Sequence, residues 1–300
     1  MKTESRFGSN GIMTPESSPG GYQKVLDRLV ESTLAHTEPR AYMPLVSVLC
    51  TSKGAQFDHI QQCCDSLSRQ QQFHFELIVC CRSLADLNLW NAALEDFSFK
   101  HHVYLDFKAR NRSEAFKSAF DTCRSPWCFV LDADDTLQEN AIPYVHWVLE
   151  RFPQFRVFCS DHAQTDEDGQ VFEITKYDPH EQRPESMAIQ FKQRHLWGFN
   201  RELIRQYPNL LESPYLCEDI WFFSRLCMNC EPVLHIPKTL YFWRRHPLQI
   251  TQVLKGDVFR MCKAIQLEVH KWMCGRSRGD SIADEIMAER IKRTANNLLQ

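Results

Sequence analysis

Three short stretches of this chain carry residue types that can do chemistry. The first, Leu131-Asp132-Ala133-Asp134-Asp135-Thr136, follows an apolar run with strand character. Three carboxylates this close repel one another unless a cation or solvent relieves them, and a hard divalent ion takes oxygen ligands of this kind. At the carboxyl edge of an open α/β sheet, where ligands bind, the stretch is a metal candidate. As an isolated turn it reads equally as an acidic loop with Asp135 capping the next helix. The second stretch, Glu218-Asp219, opens the helical segment EDIWFFSRLC. Acidic residues suit the positive end of a helix dipole. The apolar Ile220, Trp221, Phe222 and Phe223 beside them put the pair at the edge of a buried pocket, where a carboxylate is a natural general base. The third, Trp243-Arg244-Arg245-His246-Pro247, follows the apolar TLYF. Arginine grips phosphate oxygens in bidentate fashion and histidine adds a donor or a metal ligand; the competing reading is a basic surface turn.

Such groups need elements to hold them. From Pro44 onward, short β-rich runs alternate with helical stretches, the signature of βαβ units around a parallel sheet. The expected strands are 45–50, 75–81, 102–107 and 127–132, with helices near 57–70, 84–97 and 112–122. After Thr136 the texture changes. A helix at 139–151 is followed by the strand FRVFCS and by a hairpin, TDEDGQ-VFEIT, closed at Asp168-Gly169. A helix near 218–229, strands near 232–236 and 239–243, and two amphipathic helices at 257–272 and 281–299 complete the pattern, so the second half is mixed rather than purely parallel. The last helix reaches the final residue without a cap, which reads as the front of a longer protein.

The N-terminal 21 residues hold four of the ten glycines together with Pro15, Pro19 and several serines, and are expected to form a disordered tail. An apolar stripe from Tyr22 to Leu34 predicts a helical extension over 22–43. The expected organisation is thus a tail (1–21), a helical extension (22–43), a main domain (44–252) and a C-terminal helical segment (253–300).

Composition narrows the function. Thirty-five Lys plus Arg against 38 Asp plus Glu give a formal charge of −3, which argues against nucleic acid as a partner. No apolar run is long enough to span a bilayer and no export signal opens the chain, so a cytoplasmic location is expected. Thirteen cysteines, an odd number without an export signal, read as reduced thiols. The single C-x-x-C, Cys227 with Cys230, lacks a second pair at zinc-ribbon spacing. Asn111-Arg112-Ser113 is a glycosylation sequon without consequence in a cytoplasmic chain.

Acidic cluster, acidic pair and Arg/His segment stand in the order and approximate spacing of a known family. From Pro44 to Thr251 the chain resembles the bacterial-type family 2 glycosyltransferases of the GT-A fold. PLVSVLCTSKG resembles their first strand and loop, and FELIVCCRS their second strand and turn. VLDADDTL is similar to their D-x-D region. HLWGFNRELI and LLESPYLCEDIWFFSRL are similar to their acceptor-side segment and E-D motif, and YFWRRHPLQIT to their Y-x-R-x-H segment. The resemblance implies an α/β, Rossmann-like, mostly parallel sheet sandwiched by helices, with N- and C-terminal helical extensions. It also implies an inverting transfer of a sugar from a nucleotide-diphosphate sugar to a glycan or lipid-linked hydroxyl acceptor.

By the same resemblance, Asp219 is the base that deprotonates the acceptor and Glu218 shapes the site. Asp132 contacts the donor ribose or the metal shell, and Asp134 ligates a divalent cation, Mn²⁺ or Mg²⁺, with Asp132 and His246 completing the metal set. Arg244 and His246 steady the diphosphate, and Trp197 lines the sugar pocket. Two departures stand out. Cys80-Cys81-Arg82 replaces the usual acidic pair, which implies a weakened preference for uridine. SEAFKSAF replaces an Arg-Asn segment, for which Lys117 is the substitute phosphate contact. A peripheral membrane contact, further domains, or self-association through the terminal helices are compatible with this reading. Two rival readings are a non-catalytic binding module and a nucleotidyltransferase, the latter weakened by a first loop, TSKGAQ, with a single glycine.

Overall fold

The computed structural model describes residues 45–70, 74–177, 195–213, 218–229 and 231–276. The chain divides into two units, Met1–Arg40 and Ala41–Gln300, and every described residue belongs to the second. The expected tail, the helical stretch at 22–36, the Cys227/Cys230 pair as side chains and the helix at 281–299 lie outside the described residues.

Strands whose side chains are apolar on both faces must be covered on both, and the first half of the sheet obeys this rule. β1 (Val46–Ser52) and β2 (Phe75–Cys81) are buried along almost their whole length. They pair in parallel with each other, β1 pairs in parallel with β4 (Trp127–Val130), and β2 does so with β3 (Lys100–Leu105). The crossovers are α1 (Phe57–Ser68), α2 (Leu84–Leu94) and α3 (Arg112–Thr122). α2 and α3 begin where expected because Ser83 and Asn111 cap them, each side chain accepting a backbone N–H from the third residue on.

Beyond β4 the sheet becomes mixed, as anticipated. The order is β3-β2-β1-β4-β8-β6-β9-β5, with β7 attached to β6. The remaining strands are β5 (Thr136–Leu137), β6 (Val157–Thr165), β7 (Val171–Thr175), β8 (His195–Asn200) and β9 (Leu234–Arg244), and α4 (Ala141–Arg151) lies between β5 and β6. β6 and β7 form the expected hairpin. Gly169 takes φ +82°, and Asp166 Oδ1 accepts from the amides of Asp168 and Gln170.

Two expectations needed correction. Residues 232–243 do not form two strands but one, β9, which pairs in parallel with β6 across a register shift that lets Pro237 pass without a ladder hydrogen bond. HLWGFN, not anticipated as a strand, is β8, the element that joins the two halves of the sheet, antiparallel to both β4 and β6. It is buried on both faces and interrupted by a glycine, so it shows no alternation. That glycine is required: a Cβ on Gly198 would lie 2.5 Å from the Cys128 carbonyl oxygen and 2.6 Å from the Phe158 ring.

The main core joins Leu49, Ile78, Val130 and Phe199 of the sheet to Phe116 and Phe120 of α3 and to Phe222 and Leu226 of α6 (Glu218–Met228). α5 (Arg201–Gln206) follows β8 directly, and α7 (Ile250–Val253) and α8 (Lys255–Arg276) follow β9. α8 seals α6 from outside, with Ile265 fully buried against Ile220 and Trp221. Cys50, Cys63, Cys64, Cys80, Cys81, Cys123, Cys128 and Cys159 are buried and unbridged, behaving as small apolar side chains. No helix among the described residues is long and apolar enough to cross a membrane.

Candidate functional site

A cleft of about 220 Å³ opens along the carboxyl ends of β1, β2 and β4 and the inner faces of β8 and β9. It brings together Asp132, Asp134, Trp197, Glu218, Asp219 and His246, six of the residues singled out from sequence, although they span more than a hundred positions. Arg244 and Lys117 are not among the residues lining it.

The three carboxylates after β4 can each place an oxygen within 4.8 Å of the others, yet they face different surroundings. Asp132 opens to the cleft and is ion-paired with the Arg112 guanidinium. Burial and the charge of Asp134 push its carboxyl above the ordinary range, against the pull of Arg112. Asp134 also lines the cleft, with Oδ2 2.9 Å from His246 Nε2. Burial pushes it up, but the His246 hydrogen bond and charge bring it below the usual aspartate value. Asp135 is turned away and 1% exposed, accepting from the Tyr241 hydroxyl at 2.6 Å and the Arg244 amide at 2.7 Å. Burial and its two acidic neighbours hold it well above the ordinary range. The cleft-facing pair, Asp132 and Asp134, with Asp135 behind, is an all-oxygen donor set suited to a hard divalent cation. His246 reaches this group through Asp134; its Nε2 is engaged there, and its Nδ1 is buried without a hydrogen-bond partner among the described residues.

Arg244 corrects the expectation that it steadies a diphosphate. It is 2% exposed, and its guanidinium is spent inside the protein on Asp134 O at 2.8 Å, Glu167 O at 2.6 Å and Gln62 Oε1 at 2.7 Å. It is a strut under the acidic turn. Lys117 likewise departs from its expected place, pairing with Asp121 one turn along the exposed side of α3.

Glu218 and Asp219 open α6 at the cleft wall, held there by the aromatic side chains that follow them. Trp197 packs its ring 4.7 Å from Phe222 and 5.8 Å from Phe116. Burial raises the Glu218 carboxyl to about 7, against the pull of Arg112, whose Nε lies 3.1 Å from Oε1. Burial raises Asp219 as well, opposed by the Ile220 backbone amide and by Arg112. Asp219 lines the cleft and makes no ion pair with a described residue, its charge being met by the Ile220 amide and, at longer range, by Arg112.

Sequence reading missed three contributors. Arg112 bridges Asp132 and Glu218; burial works against its charge, but these two acids more than offset that. A cation in the first turn of a helix is opposed by the dipole, and that anomaly was the available signal. Asp86, 1% exposed, accepts from Ser52 Oγ and from the amides of Gly54 and Ala55 through Oδ1, and from the Ser83 hydroxyl through Oδ2. It therefore fixes the loop that forms one wall of the cleft; its signal was the capping box Ser83-x-x-Asp86. Arg82 also lines the cleft where Cys80 and Cys81 do not, both thiols being fully buried.

No protein-family profile matches the chain. Among curated proteins, it is 23% identical over 245 residues to "Uncharacterized protein y4gI" of Sinorhizobium fredii (strain NBRC 101917 / NGR234), covering 80% of this chain but 27% of that protein. The chain thus spans about a quarter of the length of that relative. Among solved structures, S. aureus TarS 1-349 in complex with UDP-GlcNAc is similar with a TM-score of 0.60 and 13% identity, over 81% of this chain and 70% of that one. The mannosyltransferase PcManGT from Pyrobaculum calidifontis, in complex with GDP-Man and Mn²⁺, is similar with a TM-score of 0.51 and 11% identity, over 93% and 92%. At these identities the likeness is one of fold, and it is the α/β fold expected from the sequence.

Proposed function

We propose that this chain is an inverting, family 2 type glycosyltransferase that moves a sugar from a nucleoside-diphosphate sugar to a hydroxyl of a glycan or lipid-linked acceptor. The observation that carries the reading is the convergence, in one cleft, of two strand-end carboxylates and a separate helix-borne carboxylate pair. The fold around them is shared with proteins solved with UDP-GlcNAc and with GDP-Man and Mn²⁺.

In this reading Asp132 and Asp134 hold a divalent cation, which when bound offsets the charge that develops on the departing diphosphate. His246 keeps Asp134 ionised and oriented, and Arg244 fixes the turn that carries both acids. Trp197 forms the apolar floor under the sugar ring. The acceptor oxygen attacks the anomeric carbon as the bond from that carbon to the diphosphate oxygen breaks, and Asp219 takes the acceptor proton. A single displacement from the face opposite the leaving group inverts the centre. Arg112 sets the separation of Asp132 from Glu218, and Glu218 shapes the approach to Asp219. The loop fixed by Asp86 receives the nucleotide half of the donor, with Arg82 beside it.

The test is to incubate the purified protein with UDP- and GDP-hexoses and Mn²⁺, with and without acceptor sugars. The expected result is release of nucleoside diphosphate and a donor-dependent rise in unfolding temperature, both lost in excess EDTA. Nucleotide binding without any release would leave a binding module instead, and unchanged donor affinity in EDTA would remove the metal assignment.

A further inference from the structure

His195 has no part in the chemistry assigned above, yet the structure gives it an unusual setting. It is 8% exposed, lines the cleft, and its Nε2 is buried with no hydrogen-bond partner among the described residues. An imidazole nitrogen left in this way is destabilising unless a ligand or water satisfies it. The ring is also held from three sides. It stacks on Tyr241 at 4.8 Å with an 18° interplanar angle, lies 5.3 Å from the Trp243 ring, and receives His162 edge-on at 4.9 Å. His162 is itself placed by Tyr177, whose hydroxyl lies 3.3 Å from its Nδ1. A polar atom clamped by packed rings is a preorganised contact rather than a mobile one.

Its position says what it would meet. Along the sheet, β2 and β1 border the loops assigned to the nucleotide and β4 ends in the acidic pair assigned to the diphosphate. β8, the next strand, carries both Trp197 and His195. What extends past the diphosphate toward β8 is the transferred sugar. We propose that His195 is a specificity-determining residue that reads one hydroxyl of the donor hexose through Nε2; this rests on the glycosyltransferase reading above. Burial holds the imidazole well below its ordinary pKa, so it meets the hydroxyl as a neutral ring. A buried nitrogen that must be satisfied penalises sugars lacking the matching hydroxyl more than it rewards those that have it.

The test compares nucleoside diphosphate with nucleotide hexose. In the parent protein with Mn²⁺, calorimetry gives the affinity added by the hexose for UDP-hexoses and GDP-hexoses, and for deoxy analogues of the one that binds best. His195→Phe keeps the stacked ring and removes Nε2. Its binding of the nucleoside diphosphate should stay within about twofold of the parent, while the affinity added by the hexose falls about tenfold and the discrimination against one deoxy analogue disappears. His195→Gln, which keeps an amide near Nε2, should restore part of both. A readout on the unaltered protein guards against misfolding of the variants. With ¹⁵N-labelled histidine, one buried Nε2 resonance should move on addition of nucleotide hexose and stay in place with nucleoside diphosphate alone. Nucleotide binding with an unchanged hexose contribution and unmoved histidine resonances overturns this inference alone. A parent that binds no nucleotide overturns it together with the donor reading.

Discussion

The acidic turn after β4 and the acidic pair at the head of α6 are built from the same functional group and differ in what faces it. In the turn every carboxylate is committed: Asp132 to Arg112, Asp134 to His246, Asp135 to Tyr241 and the Arg244 amide. In the pair Glu218 is ion-paired to the same Arg112, while Asp219 lines the cleft with no ion pair to a described residue and feels Arg112 only at longer range. A carboxylate with a fixed partner holds charge and shape; one without is free to accept a proton. The comparison also shows that charge type alone does not assign a role, since Asp135 and Asp134 are adjacent and serve opposite purposes, one as an internal brace and one in the cleft.

The sharpest way to break this comparison is Asp219→Asn. It keeps the volume and removes the proton acceptor, so turnover should fall by about 10²- to 10⁴-fold with donor affinity within about twofold of the parent. Turnover within threefold in folded protein would make Asp219 structural and move the search for the base to the other acids of the cleft. Next in size is Arg112→Met, which leaves Asp132 and Glu218 without their shared cation. Loss of one partner from a partly buried charge network should lower unfolding stability by about 2 kcal/mol, read from denaturant midpoints; no change in midpoint would show that solvent already screens these acids.

The contrast within the turn is sharpened by paired variants. Asp134→Asn should weaken Mn²⁺-dependent donor binding by about tenfold with little effect on folding. Asp135→Asn should lower stability by about 1–3 kcal/mol through its buried partners, while the metal requirement persists. If both variants lose donor binding equally, the division between cleft-facing and braced carboxylates is wrong.

The last expected effect is on pH dependence. Glu218 is raised from an ordinary 4.5 to about 7 in the folded protein. The folded state therefore holds a proton that the unfolded state has released between these values. Stability contributed by the protonated acid is present below about 4.5 and declines as pH rises through about 7. The decline should be about 2 kcal/mol between pH 5 and pH 8, and Glu218→Gln should flatten it in thermal unfolding. A parent stability that rises over that interval, with the variant unchanged, would remove the assignment.

Much of this was legible in the linear chain because the deciding physics is local. Apolar runs bounded by caps at Ser83 and Asn111 place β2, α2 and α3 where they occur, and an apolar strand ending in LDADDT puts acids at a sheet edge whatever the sheet's order. The Asp168-Gly169 turn required a left-handed residue and has one. β8 escaped notice for a local reason too. Full burial on both faces erases the alternation that marks a strand, and Gly198 interrupts what remains.

Only the tertiary structure decided which groups face one another. That Arg244 turns inward to Gln62 and Glu167, that Arg112 spans Asp132 and Glu218, and that His195 is clamped between Tyr241, Trp243 and His162 all depend on residues distant in sequence. The physical reason is the strand order. Local pattern determines that a segment is a strand and which end carries charge. Insertion of β8 between β4 and β6, and pairing of β9 in parallel with β6, determine which side chains share a low-dielectric cleft, and so which carboxylate is braced inside the protein and which line the cleft.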